Sequence, residues 1–173
     1  MTRLDTTAQD VRSRNHKVAV WLRRGSLVAL GLLLILALSG LFGVHTRETT
    51  TSRNGYTMTL RYPGIARAGL DVPWQVTITH PGGFGKGLTL AVSGNYFDLF
   101  ETQGFHPQAS DETRDGHYLY LTFSPPPGDT FVVYFDAYIQ PASQRGQGAR
   151  VAITRGVSHT QLAWIDYHTW LWP

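Results

Sequence analysis

Gly25 to Val44 is a run of 20 residues without a charged side chain, bounded by Arg24 and His45. At about 1.5 Å rise per residue it makes about 30 Å of helix, the thickness of a bilayer's hydrocarbon core. The run predicts a transmembrane helix over 25–44, with the lipid bilayer as its partner. It divides the chain into a short N-terminal tail, 1–24, and a C-terminal stretch of about 129 residues, long enough for one domain with a real core.

Charge is divided at the same place. Residues 1–26 carry six Lys and Arg against two Asp, a net +4. Residues 45–173 carry nine against ten, a net −1. The basic character of the chain therefore belongs to the tail. The positive-inside rule puts that tail in the cytoplasm and the C-terminal part outside, as a single-pass cell-membrane protein. Trp21 suits the interfacial belt. A near-neutral domain lacks the basic footprint that phosphate recognition needs, so nucleic acid is not expected as a partner. The alternative for the run is a cleavable signal, with Ala37-Leu38-Ser39 as the cleavage-like small residues. The long basic region before the run and its continuation through Leu41, Phe42 and Val44 favour an uncleaved anchor. Gly25/Ala29 and Ser39/Gly43 give small-xxx-small pairs of the kind that let helices approach. The tail has no apolar periodicity and reads as a disordered basic segment near anionic headgroups.

After the run, period-2 alternation dominates. His45–Asn54 is polar and Thr-rich and reads as part of a stalk, 45–55. Tyr56, Met58, Leu60 and Tyr62 then alternate with polar residues, and Pro63-Gly64 reads as the strand's end. Val72, Trp74, Val76 and Ile78 form a second strand, with Pro73 tolerated near its start. Leu88, Leu90 and Val92 make a third. The aromatic-rich Tyr96–Phe100 reads as an edge-like strand and Phe105–Ser110 as a short one, followed by a hydrophilic turn over Asp111–Gly116. Further strands follow at Tyr118–Phe123, at Phe131–Ile139, around Val151 and Ile153, and at the C-terminus. The loop His80–Gly87 contains Gly85-Lys86-Gly87, but no Ser/Thr and helix follow, so it is a turn and not a phosphate cradle. Seven to nine short strands with regular turns, and no helix after the span, predict an all-β ectodomain over 56–173: an Ig-like antiparallel β-sandwich.

Two segments carry a family resemblance. Arg67-Ala-Gly-Leu-Asp-Val-Pro-Trp-Gln-Val-Thr-Ile-Thr79 resembles the second strand of bacterial surface Ig-like modules of the CARDB and DUF11 type. Ser124-Pro-Pro-Pro-Gly-Asp-Thr-Phe-Val-Val-Tyr-Phe135 resembles their proline-glycine element and the long strand after it. The resemblance implies an extracytoplasmic sandwich used for adhesion, assembly or spacing, and it brings no catalytic residues.

Chemistry-bearing patterns are sparse. The chain has no cysteine, which removes disulfides, thiolate metal sites and a Cys nucleophile. His80, His106, His117, His159 and His168 lack local metal-ligand spacing. Asp98/Glu101 and Asp111/Glu112/Asp115 are the carboxylate clusters. Neither makes a calcium loop, and paired acid/base work would need them to face a cleft. No nucleophile elbow or Ser-x-x-Lys is present. No catalytic residue, cofactor or metal ligand is therefore expected. The C-terminal strand is the unusual stretch: Trp164, Trp170 and Trp172 share one parity, with Asp166 and His168 between them. The stretch either caps the core with Trp164 and Ile165 and folds over the sandwich, or forms an aromatic patch for a partner or the membrane surface; a protein partner is preferred, with these three tryptophans as the candidate contacts. Two functions follow. One is a non-catalytic interaction or accessory subunit of a membrane or envelope complex. The other is an extracytoplasmic small-ligand-binding or sensing domain with a cleft among Tyr96, Phe97, His106 and Trp164.

Overall fold

A computed structural model describes residues 6–40, 43–85, 87–101, 104–143, 145–156 and 158–172. Two compact units divide between Gly43 and Val44, and each is taken by itself.

The first unit is one helix, α1, Thr6–Leu38. Its stretch Val18–Leu38 has a mean hydropathy of 1.8, buries nothing, and is long and apolar enough to cross a membrane. The apolar helical stretch thus sits earlier than 25–44. The Ser39 hydroxyl donates to the Leu36 carbonyl, and Gly40 takes φ +71°, the left-handed geometry that ends helices. Gly43 and Val44 follow outside the helix, while Leu41 and Phe42 lie outside the described residues. Arg23 and Arg24 fall inside the apolar stretch near its N-terminal end. The tail expected to be disordered is helical from Thr6. Once the apolar segment has nucleated a helix, extending it by one residue costs little.

The second unit is all-β, with ten strands among the described residues. β1 (His45–Arg53), β2 (Tyr56–Arg67) and β3 (Asp71–Thr79) come first. β4 (Leu88–Ser93) leads into a 3₁₀ helix, Gly94–Leu99. β5 (Phe105–His106), β6 (Asp111–Arg114) and β7 (Tyr118–Phe123) follow. β8 (Thr130–Tyr138), β9 (Gln147–Arg155) and β10 (Thr160–Trp172) complete the unit. The order β5-β8-β3-β2-β10-β9-β4-β7-β6 makes one sheet that curls into a half-barrel, and β1 adds to β2.

Alternation explains the curl. Met58, Leu60 and Tyr62 on β2, Trp74, Val76 and Ile78 on β3, and Val133 and Phe135 on β8 face one core. Leu90 and Val92 on β4, Leu119 and Leu121 on β7, and Ile165 and Tyr167 on β10 close that core from the other half. The halves join where β2 changes partners. Thr57–Arg61 pair antiparallel with β3, and Ile65–Arg67 pair parallel with the end of β10. Pro63 and Gly64 lie between, so they redirect the strand that they were expected to end. Proline can neither donate to a ladder nor relax its φ, which suits it to a change of partner.

Three further expectations are corrected. His45–Arg53 is no stalk: it pairs along β2 from Arg53 opposite Tyr56 to His45 opposite Ile65. Cross-strand hydroxyl contacts, Thr50–Thr59 at 2.9 Å and Ser52–Thr57 at 3.0 Å, accompany the pairing. Gly94–Leu99 is a 3₁₀ helix, because Tyr96 and Leu99, three apart, both point into the core. Asp111–Arg114, expected as a turn, is the edge strand β6.

Candidate functional site

β10 carries the candidate contacts. Ala163, Ile165, Tyr167 and Thr169 are buried, which turns Trp164, Asp166, His168, Trp170 and Trp172 outward, as their parity required. The three tryptophans do not form one patch. Six residues of strand separate Trp164 from Trp170, about 20 Å.

Trp164 is half-buried on the outer face, beside Ala91, Ala152, Tyr118 and Tyr120. The Arg53 guanidinium lies 3.9 Å from its ring centroid and that of Arg150 lies 5.8 Å away. Arg150 donates twice to Asp166, at 2.6 and 2.9 Å, and that hydrogen-bonded carboxylate raises the guanidinium pKa. Nearby, Asp115 accepts the Tyr118 and His117 backbone N–H groups at 2.7 and 2.9 Å and the Tyr120 hydroxyl at 2.7 Å. The Tyr118 N–H and then the Tyr120 hydroxyl bring the carboxyl down to about 2. Burial, then the bond donated to Asp115, pushes Tyr120 up to about 12. His159 stacks on Tyr120 at 3.8 Å. The face is a tray of aromatic rings beside hydrogen-bonded charges.

Trp170 and Trp172 are 60% and 58% exposed, at the end of β10. Beneath them a buried network fixes the strand. Thr169 donates to the Pro63 carbonyl at 2.7 Å and bonds the Tyr96 hydroxyl at 2.8 Å, while Trp74 Nε1 donates to the Tyr167 hydroxyl at 3.1 Å. Burial raises the pKa of Tyr96 and Tyr167, so both stay neutral and structural.

A cavity of about 720 Å³ opens between β5 and β6, the two ends of the sheet path. Phe97, Phe100, Phe105 and Phe135 line it, with Asp98, Glu101, Asp111 and Glu112 also on its wall. Of the expected cleft residues, Phe97 and His106 reach this cavity. Tyr96 is sealed in the core, and Trp164 lies on the outer face of the other half. Two carboxylate clusters that are separate in sequence therefore share one wall, while Asp115 does not join them. Sequence reasoning missed this convergence, since it depends on where the sheet path ends. The signal available was acidic residues on both sides of a Phe-rich segment. Among the described residues no group of three His, Asp or Glu is arranged to hold a metal ion.

No known protein family and no curated protein matches the chain.

Proposed function

We propose that the chain is a single-pass cell-membrane protein. Its β unit stands outside the cytoplasm as an Ig-like sandwich and serves as a non-catalytic interaction or accessory subunit of a membrane or envelope complex. The observation that carries the reading is the pairing of an unburied apolar helix, basic on its N-terminal side, with a self-contained all-β unit. The sandwich reading is supported by two sheet halves that share one core and by the change of partner in β2, which lets one strand serve both halves. The connection from β4 to β8 departs from the immunoglobulin order. It visits β5 on one half before the β6–β7 hairpin on the other.

The partner face in this reading surrounds Trp164. An indole with guanidinium groups 3.9 and 5.8 Å from its ring, and tyrosines alongside, has the composition of an interface hot spot. A photo-cross-linking side chain at position 118 tests it in intact membranes. The reading expects a discrete protein adduct. A chain that gives no adduct from any position on this face contradicts it.

The cavity favours a second reading, an extracytoplasmic small-ligand-binding or sensing domain. A phenylalanine-lined wall with four carboxylates against the one guanidinium of Arg114 suits a cationic amphipathic molecule. Saturable binding of such a compound, lost in the Glu101→Gln and Glu112→Gln double variant, would favour it over the first.

A further inference from the structure

The four carboxylates on the wall of the phenylalanine-lined cavity come from opposite ends of the sheet path. Asp98 lies in the 3₁₀ helix. Glu101 comes just after it, and its backbone N–H donates to the Tyr138 carbonyl, at the end of β8, at 2.9 Å. Asp111 and Glu112 open β6, opposite Thr122 and Leu121 on β7. One pair is thus tied to β8 and the other to β7, and both border the same cavity. All four are exposed, and none makes an ion pair or a side-chain hydrogen bond among the described residues. The basic groups on the wall are Arg114, two residues beyond Glu112 on the same strand face, and His106, which bonds Asp136 at 3.2 Å.

The apolar part of the wall is fixed by its own packing. Phe97, Phe105 and Phe135 lie ring against ring with centroids 4.8 to 5.3 Å apart, and the buried Trp74 meets all three edge-on at 6.0 to 6.4 Å. Phe97 and Phe105 are only half-buried, which leaves apolar surface for a ligand. About 720 Å³ is the size of a small-molecule site. The chain from His106 to Asp111 takes five residue steps, so the ends of β5 and β6 are at most about 17 Å apart. A single cation at an exposed carboxylate gains little, because water competes for both charges. Two cations on one spacer behave differently. Once the first is seated, the second meets its carboxylates at a high effective concentration. A spacer laid on the phenylalanines buries apolar surface at the same time.

We propose that the cavity binds a linear diammonium compound, an aliphatic chain with an amine at each end, with the chain on Phe97 and Phe105 and one ammonium group at each carboxylate pair. The proposal rests on the second reading above, in which the cavity takes a cationic amphipathic molecule, and narrows it to a molecule charged at both ends. Asp98 and Glu101 hold one end, and Asp111 and Glu112 hold the other.

The test is equilibrium dialysis of the full chain in nonionic detergent, with protein-free micelles as the blank. The ligands are α,ω-diaminoalkanes of four to ten carbons, the matching 1-aminoalkanes, and Mg²⁺ as a dication without a spacer. The expected result is one diamine per chain, with an affinity that passes through a maximum as the chain lengthens. At that maximum the diamine binds about tenfold or more tighter than the monoamine of equal length. The Asp98→Asn/Glu101→Gln and Asp111→Asn/Glu112→Gln double variants each bring the diamine down to the monoamine level. If mono- and diamines bind alike, or the diamines show no optimum of length, the proposal falls while the cationic-ligand reading stands. If no amine binds, that reading fails and takes the proposal with it. If Mg²⁺ displaces the diamine at equal concentration, or both double variants bind the diamine as wild type does, the carboxylates act only as diffuse negative charge and the proposal is overturned. All four substituted positions are exposed, so the variants retain the wild-type melting temperature. The comparison of mono- and diamines on the wild-type chain needs no variant.

Discussion

Asp115 shows how one side chain organises a turn. Its carboxylate takes two backbone N–H groups and the Tyr120 hydroxyl, closing the β6–β7 hairpin against the outer aromatic face. All three donors favour the charged form, so the folded carboxyl sits at about 2 against about 3.9 in an unfolded chain. A depressed folded pKa gives stability that is present above the unfolded value and lost as pH falls through the folded one. Asp115→Ala is therefore predicted to melt below wild type at pH 7, and the gap between the two closes as pH falls from about 4 to about 2. The measurement is thermal melting of the full chain in detergent across that window. A gap that is independent of pH would show that the carboxylate's charge plays no part.

At the scale of elements, the junction between β2, β10 and the 3₁₀ helix is held by Thr169, which is fully buried. Its hydroxyl bonds the Pro63 carbonyl where β2 turns from β3 to β10, and the Tyr96 hydroxyl from the 3₁₀ helix. Thr169→Val keeps the shape and leaves both groups buried without that partner. The predicted loss is about 1–3 kcal/mol, read as a lower denaturation midpoint with an unchanged slope. A change within error would mean that the junction does not depend on this bond.

The elements differ in how far the sequence disclosed them. β3, β8 and β10 were legible because each has one buried face, and burial on alternate residues is what a period-2 pattern records. β1 was not. It lies outside the core on the free edge of β2, so its Thr and Arg residues carry no apolar alternation, and only their β propensity hinted at a strand. The 3₁₀ helix was hidden by Tyr96, Phe97 and Phe100, whose aromatic density reads as a strand until the positions three apart are seen to be buried together. The outward parity of Trp164, Trp170 and Trp172 was readable from sequence. Their separation into two places was not, since it needs the register of β10 against β2 and β9.

At the scale of the whole molecule, one division governs the account. Basic charge, apolar length and helix fall on one side of Gly43, and a near-neutral all-β unit falls on the other. The apolar helix was legible, but its end was not. The apolar composition continues past Ser39 and Gly40, whereas backbone geometry ends the helix there. The convergence of Asp98, Glu101, Asp111 and Glu112 on one cavity is likewise a property of the closed fold and of no local pattern.

The central claim is that the β unit is held outside the membrane by α1. A chain without cysteine permits a direct measurement, because any single introduced thiol is the sole target of a membrane-impermeant maleimide. Thr113→Cys on the exposed strand β6 and Thr7→Cys in the tail are labelled in intact cells and again after lysis. The account predicts that Cys at position 113 reacts in intact cells, that Cys at position 7 reacts only after lysis, and that both chains sediment with membranes at full length. Labelling in the opposite order, or a released chain beginning near Gly40, would contradict it.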